Sequence, residues 1–200
     1  GVCWTGPDGA SIIQRLLSLN GGYVGMYGSY SEAAYGAVIG NITGGYSGNS
    51  ADDVLNSKLV VLIGDNSVVT RAGGDNGGYW YMKAAENGTK FIVIDPILTD
   101  TVAATQADWV PINPGTDVAL IAAMAHVMVK ENLYDKEFMA THSVGFDEDT
   151  LPEGAPRNSS WMAYIMGRGP DKVEKTPEWA AKITGIPAER IAQLGREIAS

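Results

Sequence analysis

Two short stretches of this chain constrain its fold class more tightly than anything else in it. Leu59-Val60-Val61-Leu62-Ile63 and Phe91-Ile92-Val93-Ile94 are unbroken apolar runs rich in β-branched residues. Each stops abruptly at polar turn residues, Gly64-Asp65-Asn66-Ser67 in one case and Asp95-Pro96 in the other. A strand with one wet face alternates polar and apolar positions, whereas a run without alternation marks a strand covered on both faces. The segment between the runs, from about Gly78 to Asn87 with Gly88 as a stop, reads as a helix. Strand, helix, strand is a βαβ unit. The expected fold class is therefore α/β, Rossmann-like, with a mostly parallel sheet and helices on both faces.

The rest of the chain fits that frame. A third, shorter run at Trp109-Val110-Pro111-Ile112 follows a small segment at Thr101 to Gln106. Pro114-Gly115-Thr116-Asp117 then opens the strongest helix, Val118 to Glu131, with Thr116 or Asp117 as its N-cap. Asp135 to Thr141 reads as a further helix, and residues 143–175 as irregular. At the end Thr176 caps, Pro177 takes the first helical position, Gly185 stops, and Pro187 starts a final helix through Ile198. Upstream, Ala10 to Leu19 spaces Ile12, Ile13, Leu16 and Leu17 as one helical face. Tyr23 to Tyr46, rich in glycine and tyrosine, reads as a ligand-facing loop around a short helix at Ser31 to Ile39. Ser50 has the spacing of an N-cap for a short helix ending at Asn56. Residues 1–50 are thus expected to belong to a preceding domain, and residues 51–200 to form the Rossmann-like one.

Charge narrows the partners. With 14 Lys and Arg against 23 Asp and Glu, the net charge is −9, which argues against nucleic acid or an anionic membrane surface. Any anionic ligand must be held by local groups, such as backbone amides at helix starts. The sequence has no apolar run of transmembrane length, so direct membrane insertion is not expected. Cys3, the one cysteine, cannot form an internal disulfide and cannot by itself hold zinc or an iron–sulfur cluster. The chain begins Gly-Val-Cys-Trp without Met and ends in mid-helix, as expected of an internal piece of a larger protein.

In a doubly wound sheet the turns Gly64 to Ser67, Asp95 to Asp100 and Asn113 to Asp117 all lie at the carboxyl edge, where ligands bind. Gly64 permits a tight turn, and Asn66, Ser67 and Thr70 offer small donors. Unpaired amides ahead of a helix suit a diphosphate. Asp95 and Asp117 are carboxylates suited to a ribose hydroxyl or to the adjacent N–H donors of guanine. Short polar residues are also simply what turns and caps require, so from these residues alone nucleotide binding and plain turn chemistry both stay open. A nicotinamide site is disfavoured: G-x-G-x-x-G is missing after the first strand, where only Gly64 stands.

Several segments together carry a resemblance: Gly21-Gly22-Tyr23 through Tyr27-Gly28-Ser29-Tyr30-Ser31, Lys58 to Asn66, Ile94-Asp95-Pro96 with Thr99-Asp100-Thr101, and Pro111-Ile112-Asn113-Pro114-Gly115-Thr116-Asp117-Val118-Ala119-Leu120. In these the chain resembles the catalytic subunits of the dimethyl sulfoxide reductase family of molybdopterin oxidoreductases, over nearly all of its length. The resemblance implies a bis(molybdopterin guanine dinucleotide) molybdenum cofactor. It also implies oxygen-atom removal from an S-oxide or a related N-oxide or oxyanion, in anaerobic respiration. It points to Ser31 as the serine that ligates the metal, with Ser29 as the rival if the loop register is shifted. The Ser31 hydroxyl is also placed to cap the helix that follows, a competing role for the same oxygen. Tyr30, beside it, can donate to a bound oxygen.

By the same resemblance Gly64, Asn66, Ser67 and Thr70 contact one pterin guanine dinucleotide, Asp95, Pro96 and Thr99 its nucleoside end, and Gly115 and Asp117 the guanine. One departure stands out: the position after Asp95-Pro96, often basic in the family, is Ile97, with Arg71 as a possible substitute for neutralising the diphosphate. The 4Fe-4S ligands of such a parent would lie upstream of Gly1. Implied partners are an iron–sulfur electron-transfer subunit and a membrane anchor, with the parent at the periplasmic or extracytoplasmic face, and the isolated piece is expected to be inactive. The alternative is another nucleotide-binding α/β domain, dehydrogenase-like or regulatory, without molybdenum. His126 reads as a hydrogen-bonded core histidine, and Asp147-Glu148-Asp149 as a solvated turn.

Overall fold

The computed structural model of the chain describes residues 9–24, 30–45, 48–70 and 76–200, and of residues 9–11 and 30–32 the backbone alone. Cys3, Tyr27, Ser29 and Arg71 lie outside the described residues. The chain forms two compact units, one of Gly1–Ser57 with Ser67–Asn87 and the other of Lys58–Asn66 with Gly88–Ser200.

The first unit is helical. It holds α1 (Gly9–Leu19), α2 (Tyr30–Thr43), a 3-10 turn at Ala51–Asn56, α3 (Ser67–Thr70) and α4 (Gly77–Glu86). Helix α4 packs on the 3-10 turn and on α3. Glycine at 78 makes the second contact possible, because a Cβ there would come within 2.7 Å of the Val68 Cα. Helix α2 is longer than the sequence pattern indicates, since Gly36 and Gly40 weaken a helix without ending it. Ser50 sits at the N-cap of the 3-10 turn, but its hydroxyl makes no capping bond. The apolar face expected on α1 is present and uncovered: Ile12, Ile13, Leu16 and Leu17 are all exposed.

The second unit carries the sheet. Strands β1 (Leu59–Ile63), β2 (Lys90–Ile94) and β3 (Asp108–Val110) are all parallel and lie side by side in chain order. Continuous burial holds for β2, where Phe91 to Ile94 are 3% exposed or less. It fails for β1, where only Leu62 is buried, because β1 is an edge strand with a neighbour on one side. The helices of this unit are α5 (Asp100–Thr105), α6 (Asp117–Lys130), α7 (Lys136–His142), α8 (Trp161–Ile165), α9 (Pro177–Thr184) and α10 (Ala188–Ile198). Ile92, Ile94 and Val110 of the sheet, and Ile112 just beyond β3, form one core with Leu120, Ala123 and Met124 of α6 and with Ile191 and Leu194 of α10. Helices α6 and α10 approach closely at Gly195, where a Cβ would stand 3.1 Å from the Met124 carbonyl oxygen.

Termination signals at the end of the chain act as read. Thr176 accepts from the Trp179 N–H, Pro177 opens α9, and Gly185 closes it at φ +77°. Residues 143–175 are less irregular than expected, since Ser160 caps the short α8 and Met166 bridges to Glu174. The acidic run is not merely solvated: Glu148 accepts from the Ser160 hydroxyl at 2.6 Å and from the Asn158 N–H at 2.9 Å. These two donors hold its carboxyl below the ordinary glutamate range. His126 is a core histidine, 5% exposed, with Nε2 2.8 Å from Glu174.

The largest fully buried side chain is Lys175. A buried ammonium must be paired and hydrogen-bonded to be tolerated. Here it donates to the Val173 carbonyl at 2.7 Å, pairs with Asp171, and lies 4.4 Å from the centre of the Tyr164 ring and 5.2 Å from that of Trp179. No helix among the described residues is long and apolar enough to cross a membrane.

Candidate functional site at the carboxyl edge of the sheet

Because all three strands run parallel, the turns that follow them emerge at one edge. Ladder bonds tie these turns together. The Gly64 N–H donates to the Ile94 carbonyl at 3.0 Å, extending β1 by one residue along β2, and the Asp95 N–H donates to the Val110 carbonyl at 3.3 Å. Trp109 adds a side-chain brace, its Nε1 donating to the Asp95 carbonyl at 2.9 Å.

The first corner turns at Gly64, whose φ of +63° is in the left-handed region and whose missing Cβ would meet nothing within 4 Å. Asn66 follows, half-buried. Its Oδ1 accepts twice from Thr101, from the backbone N–H at 3.2 Å and from the hydroxyl at 2.9 Å.

The second corner is organised by Asp95, 8% exposed. Its Oδ1 accepts from the Ile97 N–H at 3.0 Å, an Asx turn that fixes the carboxylate. Its Oδ2 has no partner among the described residues. Pro96 and Ile97 are exposed, and Thr99 is buried as the N-cap of α5, its hydroxyl accepting from the Val102 N–H at 3.5 Å. Asn66 takes the Thr101 N–H and Thr99 those of Val102 and Ala103, so these three amides at the start of α5 are satisfied.

The third corner differs. Gly115 turns at φ +75° into open space. Thr116 occupies the N-cap of α6, but its hydroxyl donates back to the Asn113 carbonyl at 2.7 Å instead of capping. The N–H groups of Asp117 and Val118 therefore have no acceptor among the described residues, and neither does the half-buried Asp117 carboxylate have a donor. A 14-residue helix thus presents its positive end here without a side-chain cap.

Of the residues singled out from sequence, the second unit brings Gly64, Asn66, Asp95, Pro96, Thr99, Gly115 and Asp117 to this one edge. Ser67 and Thr70 belong to the first unit, where they line a polar cavity of about 420 Å³ with Asn49, Ser50, Asp53 and Tyr81. Tyr30 and Ser31 are described by their backbone: both stand in the first turn of α2, with Ser31 at the second helical position. Ser31 therefore stands inside α2 and not at its N-cap. Sequence reasoning missed two contributors, Thr101 and the Trp109 brace. Nothing local signals the first, because its bond to Asn66 spans 35 residues. Among the described residues no three His, Cys, Asp or Glu side chains converge as a metal site.

The chain is 47% identical, over 97% of its length, to the dimethyl sulfoxide reductase DmsA of Escherichia coli (strain K12), and covers 24% of that protein. It is 37% identical, over 93% of its length, to the dimethyl sulfoxide/trimethylamine N-oxide reductase of Rhodobacter capsulatus, covering 22% of it. The chain thus spans about a quarter of the length of the curated relatives it matches. Among solved structures, the acetylene hydratase of Pelobacter acetylenicus superimposes with a TM-score of 0.52 over 73% of this chain and 18% of that one, at 25% identity. Nothing in these likenesses favours a dehydrogenase-like or regulatory nucleotide domain. Residues 3–194 match the family model described as molybdopterin oxidoreductase, and the chain belongs to that family.

Proposed function

We propose that this chain is the part of a molybdenum oxidoreductase that holds one arm of a bis(molybdopterin guanine dinucleotide) cofactor. The intact parent would reduce an S-oxide such as dimethyl sulfoxide, or a related N-oxide or oxyanion, by removing one oxygen atom. The observation that carries this reading is the asymmetry of the sheet edge. An uncapped helix start and two carboxylates with open positions sit beside a pinned carboxamide, in a chain 47% identical to a dimethyl sulfoxide reductase.

The donor set fits a nucleotide better than a bare metal. Ionised Asp95 and Asp117 only accept, so they suit ribose hydroxyls and the N–H edge of guanine. Asn66 Nδ2 and the amides at the start of α6 only donate, so they suit phosphate or carbonyl oxygens. Thr99 and Pro96 shape the second corner, and Gly64 and Gly115 keep the backbone open to close approach; Ser67 and Thr70 are assigned to the same dinucleotide by the family resemblance alone. When bound, the cofactor's molybdenum supplies two-electron oxygen-atom exchange. By the family resemblance Ser31 would ligate the metal as an alkoxide and Tyr30 would donate to the substrate oxygen. Residues 1–50 then belong to a preceding domain and residues 51–200 to the dinucleotide-binding one.

In the parent, a 4Fe-4S cluster held by residues outside this chain, an iron–sulfur subunit and a membrane anchor would deliver electrons at the extracytoplasmic face during anaerobic respiration. The isolated chain, lacking the second dinucleotide's enclosure, turns over nothing. The test uses the full-length parent: molybdenum by mass spectrometry, guanine nucleotide released by acid, and viologen-coupled reduction of dimethyl sulfoxide and trimethylamine N-oxide. Molybdenum with about two guanines per metal supports the proposal, and an adenine nucleotide without molybdenum refutes it. Ser31→Ala should abolish turnover and change the Mo(V) resonance, and an unchanged resonance would remove Ser31 from the metal.

A further inference from the structure

The contact between Asn66 and Thr101 fixes more than a turn. A backbone N–H can only donate, so the Asn66 atom 3.2 Å from the Thr101 nitrogen must be the carboxamide oxygen. The Thr101 hydroxyl donates to the same oxygen at 2.9 Å. Two donors on one oxygen forbid the flipped amide, which would set an NH2 group against an N–H. The remaining side of the carboxamide, Nδ2, has no partner among the described residues. Thr101 is fully buried in the first turn of α5, so the clamp does not depend on the exposed loop.

We infer that Thr101 is a positioning residue: by holding Oδ1 of Asn66 it makes the first corner of the sheet edge present a donor only, and so orients an acceptor of the bound dinucleotide, a phosphate or pterin carbonyl oxygen, against it. The inference rests on the cofactor reading above for the identity of the ligand. An unclamped Asn66 would present oxygen or nitrogen about equally, and half of its orientations would repel an anion. The edge then offers donors at the first corner and at the start of α6, and acceptors at Asp95 and Asp117.

The experiment uses full-length parent protein, with molybdenum and acid-released guanine per polypeptide measured after gel filtration, and thermal unfolding measured alongside. Thr101→Val keeps the backbone donor and the shape but removes the hydroxyl, and should lower cofactor retention by about three- to tenfold. Thr101→Ser should restore it. Thr105→Val removes a buried hydroxyl from the same helix without touching Asn66, and should leave retention unchanged. Asn66→Ala should lose at least as much as Thr101→Val, and the double variant no more than Asn66→Ala. If Asn66→Ala loses cofactor while Thr101→Val does not, the positioning role is overturned and the cofactor reading stands. Equal losses in Thr101→Val and Thr105→Val overturn it as well, by assigning the effect to the stability of α5. Full retention in Asn66→Ala removes the first corner from the cofactor site, and both the assignment of Asn66 and this inference fall together.

Discussion

The two ends of the same three strands are built on opposite plans. At the amino-terminal edge the charged residues that open β2 and β3 are engaged with α10. Lys90, which opens β2, stands 3.2 Å from Glu197 of α10, and Asp108, which opens β3, pairs with Arg190 of the same helix. Arg190 also lies 3.4 Å from Glu197, and Gln193 donates to Glu197 at 2.9 Å. At the carboxyl edge Asp95 keeps one oxygen open, Asp117 both, and α6 starts without a side-chain cap. Both edges carry polar residues, so polarity alone does not separate a site from a seam. What separates them is whether the groups find partners within the chain. A closed network contributes stability. Open hydrogen-bonding positions beside a helix start contribute no such internal stability and leave room for a ligand, the role proposed for them above.

This contrast fails if the two edges respond alike to mutation. The largest effect is expected at Asp117. Replacing it by Ala removes an acceptor for two ligand donors and should lower guanine retention in the parent by about ten- to a hundredfold, the worth of a charged hydrogen bond. Unfolding free energy should change by about 1 kcal/mol or less, the loss of a carboxylate near a helix start. Arg190→Met should do the reverse. Its side chain is 19% exposed and holds two carboxylates, so stability in urea should fall by about 1–2 kcal/mol while guanine per polypeptide stays at the parental value. A drop in guanine for Arg190→Met, with none for Asp117→Ala, would invert the assignment of the two edges.

Much of this was legible before any coordinates. The unbroken runs at Leu59–Ile63 and Phe91–Ile94 give parallel strands because continuous burial is recorded in consecutive residues. Thr176, Pro177 and Gly185 give α9 because caps are local chemistry. From parallel strands it follows that Gly64, Asp95 and Gly115 share an edge. Illegible were the facts that depend on distant partners. The clamp on Asn66 joins residues 35 apart. The Thr116 hydroxyl had two acceptable uses, and only the fold decides that it turns to Asn113. Nothing local to Lys175 signals its burial, which depends on Tyr164, Asp171, Val173 and Trp179 converging on it. Glu148 reads as solvated until Ser160 and Asn158 come to it.

The smallest expected effect concerns acid, and it sharpens the contrast without touching a ligand. At Glu197 burial is the largest single influence and opposes ionisation, but Lys90 and Gln193 through hydrogen bonds, with the charges of Lys90 and Arg190, together outweigh it, leaving the carboxyl below its ordinary value of 4.5. A carboxylate depressed on folding stabilises the folded state above its unfolded pKa, and that contribution is lost as pH falls through the lower folded value. The window therefore lies below pH 4.5. Arg196 and Glu131, which tie α10 to the end of α6, respond in the same direction, since the guanidinium holds Glu131 low. Hydrogen exchange of the α10 amides should accelerate, beyond its intrinsic pH dependence, as the parent is taken below pH 4.5. Glu197→Gln should remove part of that acceleration, the remainder belonging to Glu131. Asp117→Asn should leave the α10 profile where it is. If Asp117→Asn shifts that profile as much as Glu197→Gln does, the two edges are coupled through α6, and the division into a stabilising end and a binding end has to be given up.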